Sequence, residues 1–172
     1  MKLEESTPRA ALWFLDNLVL VHLRGEETNG RWDLIEFWAA PGDQPPPHVH
    51  NLHDESFYVT AGEVTLYLPD RKVVMSPGQF FLAPRGVPHT FCVTSDDEAR
   101  WLVTSAPAGV EAFAQEFGRP AEELRLPVPE PPDVDRLIAV SAKHGIEVLG
   151  PPGLLPDQLP PDVLASYPGS SG

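Results

Sequence analysis

The stretch "PPPHVHNLHDESFYVTAGE" gathers three histidines, His48, His50 and His53, and two carboxylates, Asp54 and Glu55, between a run of prolines and a β-prone segment. Imidazole and carboxylate are the side chains that hold metal ions. His48 and His50 are two residues apart, so on an extended strand both point to one face and can share one ion. Glu55 opens the strand "ESFYV" and offers a carboxylate from a neighbouring strand. His89, after "PRGVP" and leading into "HTFCV", is the histidine placed to complete the set. Three nitrogens and one carboxylate suit a divalent first-row transition metal, Fe, Mn, Co, Ni, Cu or Zn, and disfavour calcium. Four such ligands fill a tetrahedral site, yet leave positions open for chemistry on a five- or six-coordinate ion. His53 and Asp54 are further candidates, with His53 read as a solvent-facing loop residue. His22 reads as a strand histidine without a partner, and His144 as a surface residue facing a helix dipole.

The elements that would carry these residues are mostly strands. "LVLVHLRGEETNGRWDLIEFWAA" reads as a hairpin with strands over 18–24 and 31–39, since β-branched and aromatic residues flank a turn cluster. From Glu55 to Ser105, short strands alternate with "TAGE", "PDRK", "SPGQ", "APRGVP" and "SDDE", the rhythm of an all-β sandwich or barrel. In "SPGQ", Pro77 and Gly78 fit a type II turn, and in "PDRK", Pro69 and Asp70 fit a type I turn. After Pro107 the pattern becomes helical. "GVEAFAQEFG" puts Val110, Phe113, Ala114 and Phe117 on one face, and "RPAEEL" restarts a helix at Pro120. Asp133 caps "DVDRLIAVSAKHG", where Val134, Leu137, Ile138 and Ser141 share a face and Gly145 is the stop. The Pro-rich end reads as an extended tail with a frayed terminus. The expected division is a barrel over 1–107 and a helical, Pro-rich extension over 108–172 within the same domain.

Composition narrows the function. The 172 residues suit one domain, and no apolar run approaches the ~20 residues of a membrane span. The N-terminus lacks a secretory pattern, and the single cysteine, Cys92, cannot close an internal disulfide, so a cytoplasmic protein is expected, with Cys92 a small buried hydrophobe. A formal charge of −13 opposes nucleic acid as a partner.

Two longer patterns carry a family resemblance. "GDQPPPHVHNLHDESFYVTAG" reads G-x5-H-x-H-x4-E-x6-G from Gly42 to Gly62, and "GQFFLAPRGVPH" reads G-x5-P-x-G-x2-H from Gly78 to His89. These resemble the two cupin motifs in order, and the chain as a whole resembles small bacterial cupins of the quercetin 2,3-dioxygenase-like kind. The resemblance implies a mainly β fold, the cupin double-stranded β-helix or jelly roll, here with C-terminal helices. It implies His48, His50, Glu55 and His89 as metal ligands, with no other cofactor. Where many cupins carry asparagine four residues after the last ligand, this chain has Val93. By strand parity Phe91 and Val93 share the inward side with His89, and Phe57 shares it with Glu55, so these three are expected to line an apolar substrate pocket. The four tryptophans are further candidates for its wall. The implied activity is a metal-dependent dioxygenase acting with dioxygen on an enolisable, flavonol-like aromatic, Glu55 serving as catalytic base. The alternatives are a Lewis-acid isomerase, cyclase or lyase, and a non-catalytic small-molecule-binding barrel. Cupins commonly pair as dimers by exchanging N-terminal strands, so a homodimer through "LVLVHL" is expected.

Overall fold

The computed structural model describes residues 7–167; the readings made for the extreme N-terminus and for the frayed end after Tyr167 lie outside them. Among the described residues twelve strands form, beginning with β1 (Ala10–Phe14), β2 (Asn17–Leu23), β3 (Asp33–Ala39), β4 (His48–His50) and β5 (Asp54–Ala61). They continue through β6 (Val64–Tyr67), β7 (Lys72–Met75), β8 (Phe80–Ala83), β9 (Thr90–Val93) and β10 (Ala99–Ala106) to β11 (Arg119–Pro120) and β12 (Ile146–Val148). Three helices, α1 (Val110–Phe117), α2 (Val134–Lys143) and α3 (Pro161–Ala165), lie in the C-terminal part.

One layer is a seven-stranded antiparallel sheet in the order β11-β1-β2-β3-β10-β5-β8. Facing it are β7-β6-β9 and the pair β12-β4, linked where His48 and His89 exchange backbone hydrogen bonds of 2.9 Å. Alternate residues of β3 (Asp33, Ile35, Phe37, Ala39) and of β10 (Ala99, Trp101, Val103, Ser105) are buried between the layers, which is the period of a half-buried strand. The fold is the cupin jelly roll with C-terminal helices.

Turn chemistry holds the register. Gly78 takes φ +90° between Ser76 and Gln79, as a type II turn requires, and Leu68 N donates to Arg71 O around Pro69 and Asp70. Gly62, which closes the first motif, has φ +69° and lies so near β10 that a Cβ there would sit 2.7 Å from Ala99 Cα. A side chain at this position would force the two strands apart.

Several elements depart from the sequence reading. β1 was not foreseen and pairs with β2 around a tight turn at Leu15 and Asp16, where Leu15 adopts φ +52°. The expected helix at Pro120 does not form, because β11 joins the edge of β1 and Ala121 N donates to Ala11 O. The tail is not wholly extended; it folds into a 3-10 turn at Pro156–Gln158 and then α3. Cys92 is half-buried rather than a core residue.

The anchor of α1 is likewise tertiary. Its N-cap, Gly109, has no side chain to satisfy the first helical N–H groups. Asp33 on β3 does this instead, accepting from Gly109 N (2.8 Å), Glu111 N (3.0 Å) and both N and Oγ of Ser105. Ser105 Oγ in turn accepts from Gly109 N and Val110 N. Asp33 and Ser105 are fully buried and directly opposed across β3 and β10. Replacing Asp33 by alanine leaves several buried donors without an acceptor, and is expected to cost about 3 kcal/mol of stability in urea denaturation. Asp70→Ala, in an exposed turn, is expected to change it by less than about 0.5 kcal/mol.

Candidate metal centre

His48 and His50 occupy the two ends of β4, Glu55 the second position of β5, and His89 the residue before β9. Glu55 therefore comes from the opposite layer and not from a hydrogen-bonded neighbour of β4, whose partner is β12. One ligand atom from each of the four side chains lies within 4.8 Å of the others, a group that could hold a metal ion. The three imidazoles pack ring against ring, with centroids 4.6 to 5.4 Å apart.

The outward nitrogens set what the inward ones can do. His48 Nδ1 lies 2.8 Å from Pro46 O and His89 Nδ1 3.0 Å from Val87 O; a carbonyl only accepts, so each Nδ1 carries the proton and each Nε2 holds a lone pair. His50 Nδ1 lies 2.6 Å from His53 Nε2, and His50 Nε2 is buried without a hydrogen-bond partner. In the tautomer that leaves His50 Nε2 free, Nδ1 donates to His53. Glu55 Oε2 lies 3.1 Å from His89 Nε2 and 3.3 Å from His50 Nε2. In these tautomers lone pairs face a carboxylate at hydrogen-bond distance, an arrangement that a cation at its centre would satisfy. The donor types and the orphaned Nε2 fit a transition-metal ion.

Burial, with the charge of neighbouring His89, pushes His48 down to about 4, against the pull of Glu55 and a hydrogen bond to Pro46. Burial also drives His50 well below the ordinary imidazole range. Burial raises Glu55, but its placement among His50, His89 and His48 outweighs that and holds the carboxyl at about 2. Both directions favour the metal-ready forms, neutral imidazole and ionised carboxylate.

The cluster opens onto an apolar cavity of about 80 Å³ whose wall includes Phe14, Phe37, Phe57, Phe91 and Phe113. Phe57 and Phe91 stand where strand parity put them. Val93 is buried in the core outside that lining, opposite Val64 in register, and none of the four tryptophans lines the cavity. Trp101 is core, stacked on Phe37, while Trp13 lies on the outer side of the sheet with Arg119 over its ring. Part of the wall comes from the C-terminal part: Val110, Phe113 and Ala114 of α1, Leu137 and Ser141 of α2, Ile146 and Val148 of β12. β12 pairs directly with the histidine strand, Ile146 with His50 and Val148 with His48.

His53 is where the sequence reading errs most. It is 1% exposed, because the start of α1 packs over the loop, and a Cβ on Gly109 would lie 2.8 Å from His53 Nδ1. The other candidates point elsewhere. Asp54 pairs with Arg85 on the surface, Oδ1 accepting from Nε at 3.1 Å and Oδ2 from Nη2 at 3.0 Å. His22 does have a partner, Glu36 on β3 at 2.9 Å, and His144 ties α2 to Glu116 of α1 at 2.8 Å. Neither enters the site. Asp33, Gly109 and Phe14 escaped the sequence reading, for they join the site only through packing between distant segments.

Two antiparallel layers closed around buried histidine and carboxylate acceptors define a small β-barrel protein with a candidate metal centre. Residues 37–105, which contain all four acceptors, match the cupin domain family. The chain is 23% identical over 137 residues to quercetin 2,3-dioxygenase of Bacillus subtilis (strain 168), across 79% of this chain and 40% of that protein. It is 37% identical over 69 residues to Protein SchB of Streptomyces halstedii, across 40% of this chain and 50% of that one. The chain thus spans half or less of the length of these curated relatives. Among solved structures, the polyketide cyclase RemF from Streptomyces resistomycificus superposes with a TM-score of 0.52 at 24% identity, covering 74% of this chain and 87% of that one, which shows a shared fold.

Cobalt(II) titration followed by its visible spectrum tests the arrangement. His89→Ala is expected to lose the site and His22→Ala to keep it. His53→Ala is expected to bind about 10- to 100-fold more weakly, as loss of an outer hydrogen-bond partner does elsewhere. Gly109→Ala, whose new methyl would displace the His53 ring, should shift affinity in the same direction. Wild-type affinity in His53→Ala would mean that His50 is oriented without it.

Proposed function

We propose that this chain is a metal-dependent cupin enzyme, a dioxygenase acting on a small enolisable aromatic of flavonol type, with His48, His50, Glu55 and His89 as ligands of one divalent transition metal. The observation that carries the reading is the opening of a buried, acceptor-only cluster onto a cavity walled by five phenylalanines. The resemblance in sequence to quercetin 2,3-dioxygenase over 79% of the chain supports the choice of substrate class. We propose further that residues 108–172 work as one domain with the barrel of 1–107, a reading supported by the helices and β12 in the cavity wall.

When bound, the metal would supply a Lewis acid and an open position for oxygen ligands. The chain's own part is more definite. Three imidazoles, each held from behind at Nδ1, keep their Nε2 atoms fixed in direction. Glu55 is the group placed to take a proton from a substrate hydroxyl, since its Oε2 faces the same point as the imidazole Nε2 atoms. Phe57 and Phe91 offer ring edges and faces to an aromatic substrate and keep water from the reacting centre.

Elemental analysis of protein purified without added metal is expected to find a transition metal at close to one per chain, lost in His89→Ala. Oxygen uptake with flavonols is expected from the wild type, and Glu55→Gln is expected to slow it by about 100-fold or more. Isomerisation or elimination without oxygen uptake would move the assignment to Lewis-acid chemistry of the cupin kind. Protein that neither carries nor takes up metal would make the barrel a binding module.

A further inference from the structure

The metal-facing cavity is too small for the substrate class proposed above. At about 80 Å³ it falls short of the roughly 150 Å³ that admits a single benzene ring. It does not stand alone, however. A groove of about 620 Å³ lies against it, and the two share Leu15, Asn17, Pro45, Pro46, Leu137 and Val148 as common wall.

Three polar residues of that groove each carry one buried atom without a hydrogen-bond partner. Asn17 is 3% exposed and lines both spaces, and its Oδ1 is buried with no hydrogen-bond partner. Asp43 Oδ2 and Gln44 Nε2, on the segment leading to the histidine strand, also line the groove and are also buried without partners. Buried polar atoms are ordinarily satisfied, because leaving one unpaired costs about as much as a lost hydrogen bond. Here two acceptors and one donor belong to residues that all line the groove, and one of them, Asn17, lines the aromatic cavity as well.

We propose that cavity and groove are the two halves of one ligand site, and that Asn17, Asp43 and Gln44 recognise a phenolic hydroxyl at the groove end of an aromatic substrate. A hydroxyl matches the set, since it donates one hydrogen bond and accepts another: it can donate to Asp43 or Asn17 while accepting from Gln44. An anionic substituent does not match. Asp16, Asp43 and Glu130 line the groove, and no lysine, arginine or histidine does among the described residues. Burial raises the Asp43 carboxyl to about 6, opposed by a hydrogen bond to Asn17 and reinforced by the charge of Asp16, which marks it as a desolvated acceptor. The assignment also accounts for Val134 and Ile138 of α2, half exposed at 53% and 48%, which form an apolar flank of the groove. The proposal rests on the aromatic-substrate reading.

Three flavonols identical except at the para position of the pendant ring, carrying hydrogen, hydroxyl or methoxy, separate the two ideas. Each is titrated anaerobically into the full chain loaded with metal, and binding is followed by quenching of tryptophan fluorescence. The hydroxyl compound is expected to bind on the order of tenfold more tightly than the other two, the worth of one well-placed hydrogen bond. In Asp43→Leu that preference should vanish while the hydrogen compound binds as before, which also shows that the variant is folded. Gln44→Leu, at a half-buried position, carries the same comparison if Asp43→Leu does not fold. Equal affinities for all three compounds, or a preference that survives these substitutions, overturn the hydroxyl site and leave the aromatic reading standing. Failure of all three to bind overturns both.

Discussion

The structure is organised around one electrostatic demand: three imidazole lone pairs and a carboxylate point at a common centre inside a barrel. In water each would be solvated separately; buried together, they lose that solvation, which a cation at the centre would offset. Everything that fixes their direction lies behind them. Two Nδ1 atoms are held by backbone carbonyls of Pro46 and Val87, which no substitution of those side chains removes, and the third by the imidazole of His53. The His50 support is therefore the one of the three that a point mutation can delete.

That support reaches far along the chain. His53 is buried by the start of α1, α1 is held by Asp33 and Ser105, and Asp33 and Ser105 are set opposite each other by the pairing of β3 with β10. The C-terminal part is equally tied to the site, since β12 adds directly to the histidine strand and α2 supplies Leu137 to both cavity and groove. The extension thus shapes the space in front of the four clustered side chains, as the barrel places those side chains themselves.

A shared fold leaves the reaction open. Barrels of this architecture include the polyketide cyclase RemF, and the resemblance to quercetin 2,3-dioxygenase covers less than half of that protein. The wall of this chain combines phenylalanines near the four candidate ligands, a valine withdrawn into the core at position 93, and unpaired polar atoms on residues of the adjoining groove. These features bear on substrate choice more directly than the ligand set, which is compatible with many reactions.

The sequence by itself determined the strand-rich barrel and the four converging side chains, because alternation along a strand and fixed spacing between ligands are local properties. His48 and His50 share a face by strand periodicity alone, and the turns at Gly62 and Gly78 need the positive φ that glycine readily adopts. Phe57 and Phe91 followed from the same parity. Tertiary structure decided the rest. His53 looked like a loop residue because nothing local announces that Gly109, 56 positions later, will pack against it. β1, β11 and β12 are short and gain their hydrogen bonds only from partners already in place, which is why "RPAEEL" became an edge strand and bends rather than a helix. The size of the cavity, the groove beside it and the unspent atoms of Asn17, Asp43 and Gln44 arise where segments distant in sequence meet, and no periodicity within any one of them encodes that meeting.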